Sequence, residues 1–209
     1  MTFPPHVRSA SFLACALLLI LGCALPLKAQ MNTEFQITKI EPSMPTTPAI
    51  SYTGIQKVTK APKSWLEVEA TFTWKPRLAT DKSADDVVVN YYVLLNNKSA
   101  AFPQGTLLTG QVTHTSVPAN QADLKSVMYI SPRTLERFFD GKAPASKEIA
   151  VIDIGVTITR QGQVVAEKVL KGQGAWWTQI QQTSGYLLNK NETPFAPLYW
   201  DYFEAVKKP

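Results

Sequence analysis

Along KSWLEVEATFTW, residues 63–74, apolar and polar side chains alternate. Leu66, Val68, Ala70, Phe72 and Trp74 fall on one side, and Glu67, Glu69, Thr71 and Thr73 on the other. A period of two sends successive side chains to opposite faces of an extended chain, so the stretch predicts a strand with one buried and one wet face. DVVVNYYVLLNN, residues 86–97, predicts a second strand with Val87, Val89, Tyr91, Val93 and Leu95 on one face. Its other face, Val88, Asn90, Tyr92 and Leu94, is too apolar to meet only water. EIAVIDIGVTITRQGQVVAEKVL, residues 148–170, predicts a hairpin turning at Gln161-Gly162, where glycine supplies the positive φ of a tight turn. Shorter strands are predicted over 34–40, 106–117 and 125–130. Between them Ser131 can cap a short helix, Pro132 suits its first position, Leu135, Phe138 and Phe139 have helical spacing, and Gly141 ends it.

Seven or eight short strands separated by turn residues predict an all-β fold, an immunoglobulin-like antiparallel β-sandwich with one short connecting helix. The Cys–Trp–Cys signature of antibody-type domains is absent, so strand number and pattern carry this expectation. The expected layout is a signal peptide over 1–29, an N-terminal strand and Pro-rich crossing segment over 30–62, and the sandwich with an aromatic C-terminal segment over 63–209. The last two parts make one domain. Pro42, Pro45 and Pro48 recur every third residue, which suits a stiff, extended crossing. In the C-terminal segment, GYLLNKNETPFAPLYWDYFEAVKKP (185–209), Tyr199, Tyr202, Phe203 and Val206 have helical spacing, whereas the density of aromatics favours a strand; both readings stay open. That segment is expected to lie over the apolar face carrying Tyr92 and Leu94.

Export is the next expectation. His6 and Arg8 precede the uncharged run ASFLACALLLILGCAL (10–25), which is shorter than the ~20 apolar residues of a membrane span. Leu27-Lys28-Ala29 offers a cleavage point, so the mature chain is expected to start near Gln30, to have no membrane span, and to be secreted, periplasmic or on the cell surface. LILGC (19–23) is a competing lipobox-like signal, and acylation at Cys23 would give a lipid anchor instead.

Composition then narrows the chemistry. Both cysteines, Cys15 and Cys23, belong to the leader, which removes disulfides, thiolate metal sites and a cysteine nucleophile from the mature chain. The net charge of +5 falls to +3 without Arg8 and Lys28, and the remaining charges alternate in sign, so no nucleic-acid partner is expected. His114 is the one histidine beyond the leader. A serine triad would have to use it, a zinc site would need more ligands, and the plain reading is a partly exposed strand histidine. Asp81, Asp85 and Asp86 lack the ligand spacing of calcium loops. No metal or cofactor is expected. Asp153 interrupts an apolar strand and reads as a hydrogen-bonded structural carboxylate.

Two candidate sites remain. Glu67 and Glu69 share one strand face about 6.6 Å apart, a separation that would suit a two-carboxylate glycosidase, but their neighbours Thr71 and Thr73 look like an ordinary wet face. The second is GQGAWWTQIQQ, residues 172–182. Read as a strand, it puts Trp176 with Thr178 and Ile180 in the core, and Trp177 with Gln179 and Gln181 on the other side. Trp177 is then either a ligand-binding ring or covered by the C-terminal segment. The candidate contact surface thus comprises Trp177, Gln179, Gln181, Tyr92, Leu94, Tyr199 and Trp200.

Together QITKIEP (36–42), KSWLEVEATFTW and YWDYFEAV (199–206) resemble a group of small secreted proteins of verrucomicrobial bacteria of the Akkermansia type. The resemblance implies an immunoglobulin-like sandwich, a non-catalytic role in the envelope or on the surface, and an association with a pilus-like assembly. The chain departs from a type IV pilin, because its apolar run precedes the expected cut and is not retained. The function expected first is therefore protein–protein contact in an envelope or surface assembly. A glycan-binding module centred on Trp177 comes second, and a glycosidase using Glu67 and Glu69 third.

Overall fold

The computed structural model describes Met1 and residues 34–49, 61–199 and 201–208. The expected signal peptide, its cleavage point and Cys23 lie outside the described residues, as do Trp200 and residues 50–60 of the expected crossing segment.

The alternating runs become strands facing each other across one core. β1 (Phe35–Ser43), β2 (Leu66–Trp74), β5 (Leu124–Ile130) and β9 (Leu187–Asn189) form a first sheet in the order β1-β2-β5-β9. β3 (Ser83–Leu95), β4 (Thr106–Pro118), β6 (Val151–Arg160), β7 (Gln163–Val169) and β8 (Gln182–Ser184) form a second in the order β7-β6-β3-β4-β8. All pairings are antiparallel except β4 with β8. This is the expected all-β sandwich. The predicted inward faces meet in the middle: Leu66, Val68, Phe72 and Trp74 of β2 oppose Val87, Val89, Tyr91, Val93 and Leu95 of β3, all buried in one cluster. Each large apolar side chain so buried contributes about 1.5–3 kcal/mol.

Local signals place the connections. The β6–β7 hairpin turns at Gln161 (φ 51°) and Gly162 (φ 76°), two successive positive φ values whose twist matches that of the strands. α1 (Pro132–Phe138) begins as expected, with the Ser131 hydroxyl accepting from the Thr134 N–H and Pro132 in the first turn. A second helical turn, α2 (Lys147–Ala150), replaces the predicted start of the sixth strand, and β3 starts earlier than predicted, at Ser83. Among the described residues α2 thus adds a short α-helix to the one expected.

Asp153 takes the structural role its position suggested. Its Oδ1 accepts from the N–H groups of Ile154 (2.8 Å) and Lys171 (2.9 Å), and its Oδ2 from Gly172 (2.9 Å). One carboxylate thereby fixes the exit of β7 and aims the chain towards the tryptophan pair.

Candidate contact surfaces

The tryptophans do not lie on a strand. After Gly172 and Gly174 the chain makes a 3-10 helical turn, Trp176–Gln179. With three residues per turn, adjacent side chains diverge by a third of a circle rather than a half, so both rings can reach the same face of the second sheet. Trp177, expected either to bind a ligand or to lie under the C-terminal segment, is 4% exposed but packs on the second sheet instead, while Trp176, expected in the core, is half-buried. Trp177 stacks on Tyr92 with centroids 4.6 Å apart and planes 10° from parallel, and Trp176 meets it edge-on at 5.5 Å. Leu94 and Leu107 complete the cluster.

Gly155 makes room for this plug. A Cβ there would sit 2.2 Å from Cζ3 of Trp177, so any larger residue would expel the ring. A glycine inside an apolar strand marks such a close approach, and VIDIGV carried that signal in the sequence. Gln179 and Gln181 are exposed, but no exposed indole stands beside them. The glycan-binding arrangement centred on Trp177 is therefore not formed.

The C-terminal segment covers the other sheet, not the face of Tyr92 and Leu94. Phe195 stacks on Tyr129 of β5 at 4.8 Å and meets Trp65 edge-on at 5.7 Å, with Val127, Leu188, Leu198 and Phe203 around them. The face of β2 expected to be wet is consequently covered in part, and Glu69 and Thr71 are buried. The Lys125 ammonium lies 2.6 Å from Glu69 Oε1 and 4.9 Å from the Tyr202 ring centroid, and the Tyr202 hydroxyl reaches Glu69 at 3.4 Å. Desolvation works against the charge on Lys125, yet the bonds to Glu69 and Tyr202 outweigh it and raise its pKa. Glu67 accepts from the Ser43 hydroxyl at 2.8 Å. Both carboxylates of the glycosidase reading are thus engaged within the protein.

Beyond Phe203 the segment becomes an extra edge. Glu204 N–H donates to Lys125 O (3.1 Å) on β5, Thr115 N–H donates to Ala205 O (2.9 Å), and Lys207 N–H donates to Thr113 O (2.7 Å) on β4. Neither of the two open readings holds through the segment: residues 194–198 and 201–203 run as turns and bends, and Val206 makes an isolated bridge to His114, which links the two sheets. His114 lies beneath it. The ring is 1% exposed rather than partly exposed, because the segment closes over it. Its Nδ1 is 3.2 Å from the Glu204 carbonyl, which can only accept, so Nδ1 carries the proton. Nε2 points into the core near Phe72 and finds no hydrogen-bond partner among the described residues. Burial lowers the pKa of this histidine to about 4. Burial raises that of Glu204.

The C-terminal segment leaves an aromatic pair exposed. Tyr199 and Tyr202 are 58% and 49% exposed, touch each other, and both pack on the partly buried Phe203. Tyr199 holds φ 55°, a left-handed conformation that is uncommon for a bulky residue. Asp86 of the acidic cluster pairs with Lys207 at 2.6 Å. Among the described residues no group of three or more His, Cys, Asp or Glu is arranged to hold a metal ion, and no helix is long and apolar enough to cross a membrane.

A protein-family model matches residues 26–209, and the chain belongs to that family. The fold is also that of a crystal structure of a protein from Akkermansia muciniphila, with a TM-score of 0.65 and 23% sequence identity over 84% of this chain and 93% of the other. No curated protein matches the chain in sequence.

Proposed function

Starting from that family membership, we propose that the protein is an exported, non-catalytic β-sandwich that acts by protein–protein contact in a bacterial envelope or surface assembly, associated with a pilus-like filament. The exposed aromatic group of Tyr199 and Tyr202 on Phe203 carries this reading. Tyrosine offers a large, stiff contact area with a polar tip, and it is enriched at protein interfaces for that reason. The pair is also pre-positioned: Phe203 and the Lys125–Glu69 ion pair hold its base, so little side-chain freedom remains to be lost on binding. The non-catalytic part of the reading is supported by Glu69, whose carboxylate is neutralised by Lys125, and by His114, which is sealed in the core.

The test is site-specific photo-crosslinking in the producing bacterium. A crosslinker at Tyr199 is expected to yield one discrete product that disappears when Tyr202→Ala is added. The same crosslinker at Val164, exposed on β7, is expected to give none. Equal labelling from both positions, or no product at Tyr199, would remove the contact surface.

A further inference from the structure

One end of the sandwich carries a cleft that no sequence pattern announced. The β3–β4 connection forms one wall and the stretch from the end of α1 to α2 forms the other, enclosing 620 Å³. That volume is within the range of small-ligand sites. We propose that this cleft binds an acidic saccharide, a pyranose ring bearing a carboxylate or sulfate group.

Charge is the first ground. Lys98, Arg137 and Lys142 line the cleft against a single acid, Asp140. Lys98, Lys142 and Asp140 have no ion-pair partner among the described residues. Cations gathered in a concave site focus their field on whatever enters it. Arg137 is further held in place by the Tyr186 ring, 5.3 Å from its guanidinium carbon, and a guanidinium matches carboxylate and sulfate geometry.

The second ground is a ring platform at the mouth. Phe102 is 47% exposed there, and the exposed Asn96 lies in the same wall. An apolar ring face beside an amide and cations matches a sugar, which has an apolar C–H face, hydroxyls at its edge and, here, an anionic substituent.

The walls are already built. Asn97 donates to Thr106 Oγ1 (2.9 Å) and accepts from Thr106 N–H (2.8 Å), which pins the base of the loop. Ser99 and Phe102 exchange two backbone hydrogen bonds of 3.1 Å, and Asn96 N–H is donated to Ala150 O. These internal bonds also decide between ligand classes. An extended acidic peptide would need free backbone groups to pair with, and on this wall the N–H of Asn96 and both backbone groups of Ser99 and Phe102 are already in use. A saccharide needs side chains alone, and those are what the cleft presents.

Calorimetric titration of the mature chain separates the outcomes. The ligands are a hexuronate tetrasaccharide, a sulfated tetrasaccharide, a neutral tetrasaccharide and an acidic octapeptide, each at low and at physiological salt. At least one acidic saccharide is expected to bind at least tenfold more tightly than the neutral one, and the preference should shrink as salt rises. Phe102→Ala, and separately the double variant Lys98→Ala with Lys142→Ala, are each expected to weaken that binding tenfold or more. Both alter exposed side chains, and an unchanged melting temperature will show that the fold is intact. Tyr199→Ala with Tyr202→Ala should leave saccharide binding untouched, which keeps this site separate from the protein-contact surface. The proposal is overturned if neither acidic saccharide binds at millimolar concentration, if the neutral one binds as well, if the cleft variants bind normally, or if the acidic peptide binds more tightly through the same residues.

Discussion

The two sheets are covered on their outer faces by unlike means. On the second sheet a four-residue turn presses one ring, Trp177, into the slot left by Gly155, and the contact is made of shape and apolar area. On the first, a long C-terminal run spreads stacked aromatics over β5 and β2, caps their Lys125–Glu69 ion pair, and then crosses to pair with β4 of the second sheet and seal its His114. A plug of the first kind is sensitive to volume and indifferent to pH. A wrap of the second kind distributes its stabilisation over many weak contacts and places titratable groups beneath them.

The sharpest way to break this contrast is Trp177→Ala. Emptying the slot is expected to cost about 3–5 kcal/mol in urea unfolding at neutral pH, the range for deleting a large buried aromatic. The loss should be the same at pH 5 as at pH 7.

Acid should act on the opposite side. His114 is neutral in the fold, with a pKa of about 4 against 6.5 when unfolded, so its contribution is complete above pH 6.5 and is lost as pH falls through 4. A displacement of that size corresponds to roughly 3 kcal/mol. Glu204 opposes it. Its folded pKa is raised, so its contribution is present at low pH and is lost as pH rises through the folded value. Amide hydrogen exchange is expected to show Thr115 and Lys207 opening between pH 6.5 and 4 while Lys171 and Gly172, held by Asp153, stay protected. His114→Phe should abolish most of that difference. Opening at both places together would show that the covers are not independent.

Lys125→Ala is expected to cost less, about 2 kcal/mol, because Glu69 keeps some access to water and to the Tyr202 hydroxyl. Chemical denaturation at low and high salt would measure it, with a small salt effect for so sheltered a pair. The smallest expected change is Tyr199→Gly. Relief of the left-handed conformation offsets the lost side-chain packing, so stability should move by no more than about 0.5 kcal/mol. With the crosslinker moved to Tyr202, the same variant should eliminate the product, so a neutral melting temperature with lost contact separates function from fold.

The strands were legible because their signal is local. A period of two in β2 and β3 is set by each strand's own burial, and the β6–β7 turn by two residues. The covers were not legible, since nothing within residues 185–209 says which of two apolar faces they will reach. Tyr92 and Leu94 form the face expected to receive that segment, yet Trp177 occupies it through a turn of period three rather than a strand of period two. Gly155 was the available clue: a glycine in the middle of VIDIGV implies a neighbour pressed against the backbone. Burial of Glu69 and His114 could not be read from β2 or β4, because both are buried by a segment far along the chain.

Because Val206 bridges back to His114, far earlier in the chain, the cover over that histidine forms only when a segment remote in sequence folds back onto β4. Until it arrives, the far half of β4 offers an unpaired ladder and the histidine beneath it is wet. A chain with that segment unpaired would therefore be sticky, prone to pair edge to edge with another copy. Residues 204–207 thus act as a seal against self-association, and the yield of soluble protein becomes a measure of how firmly that seal is closed.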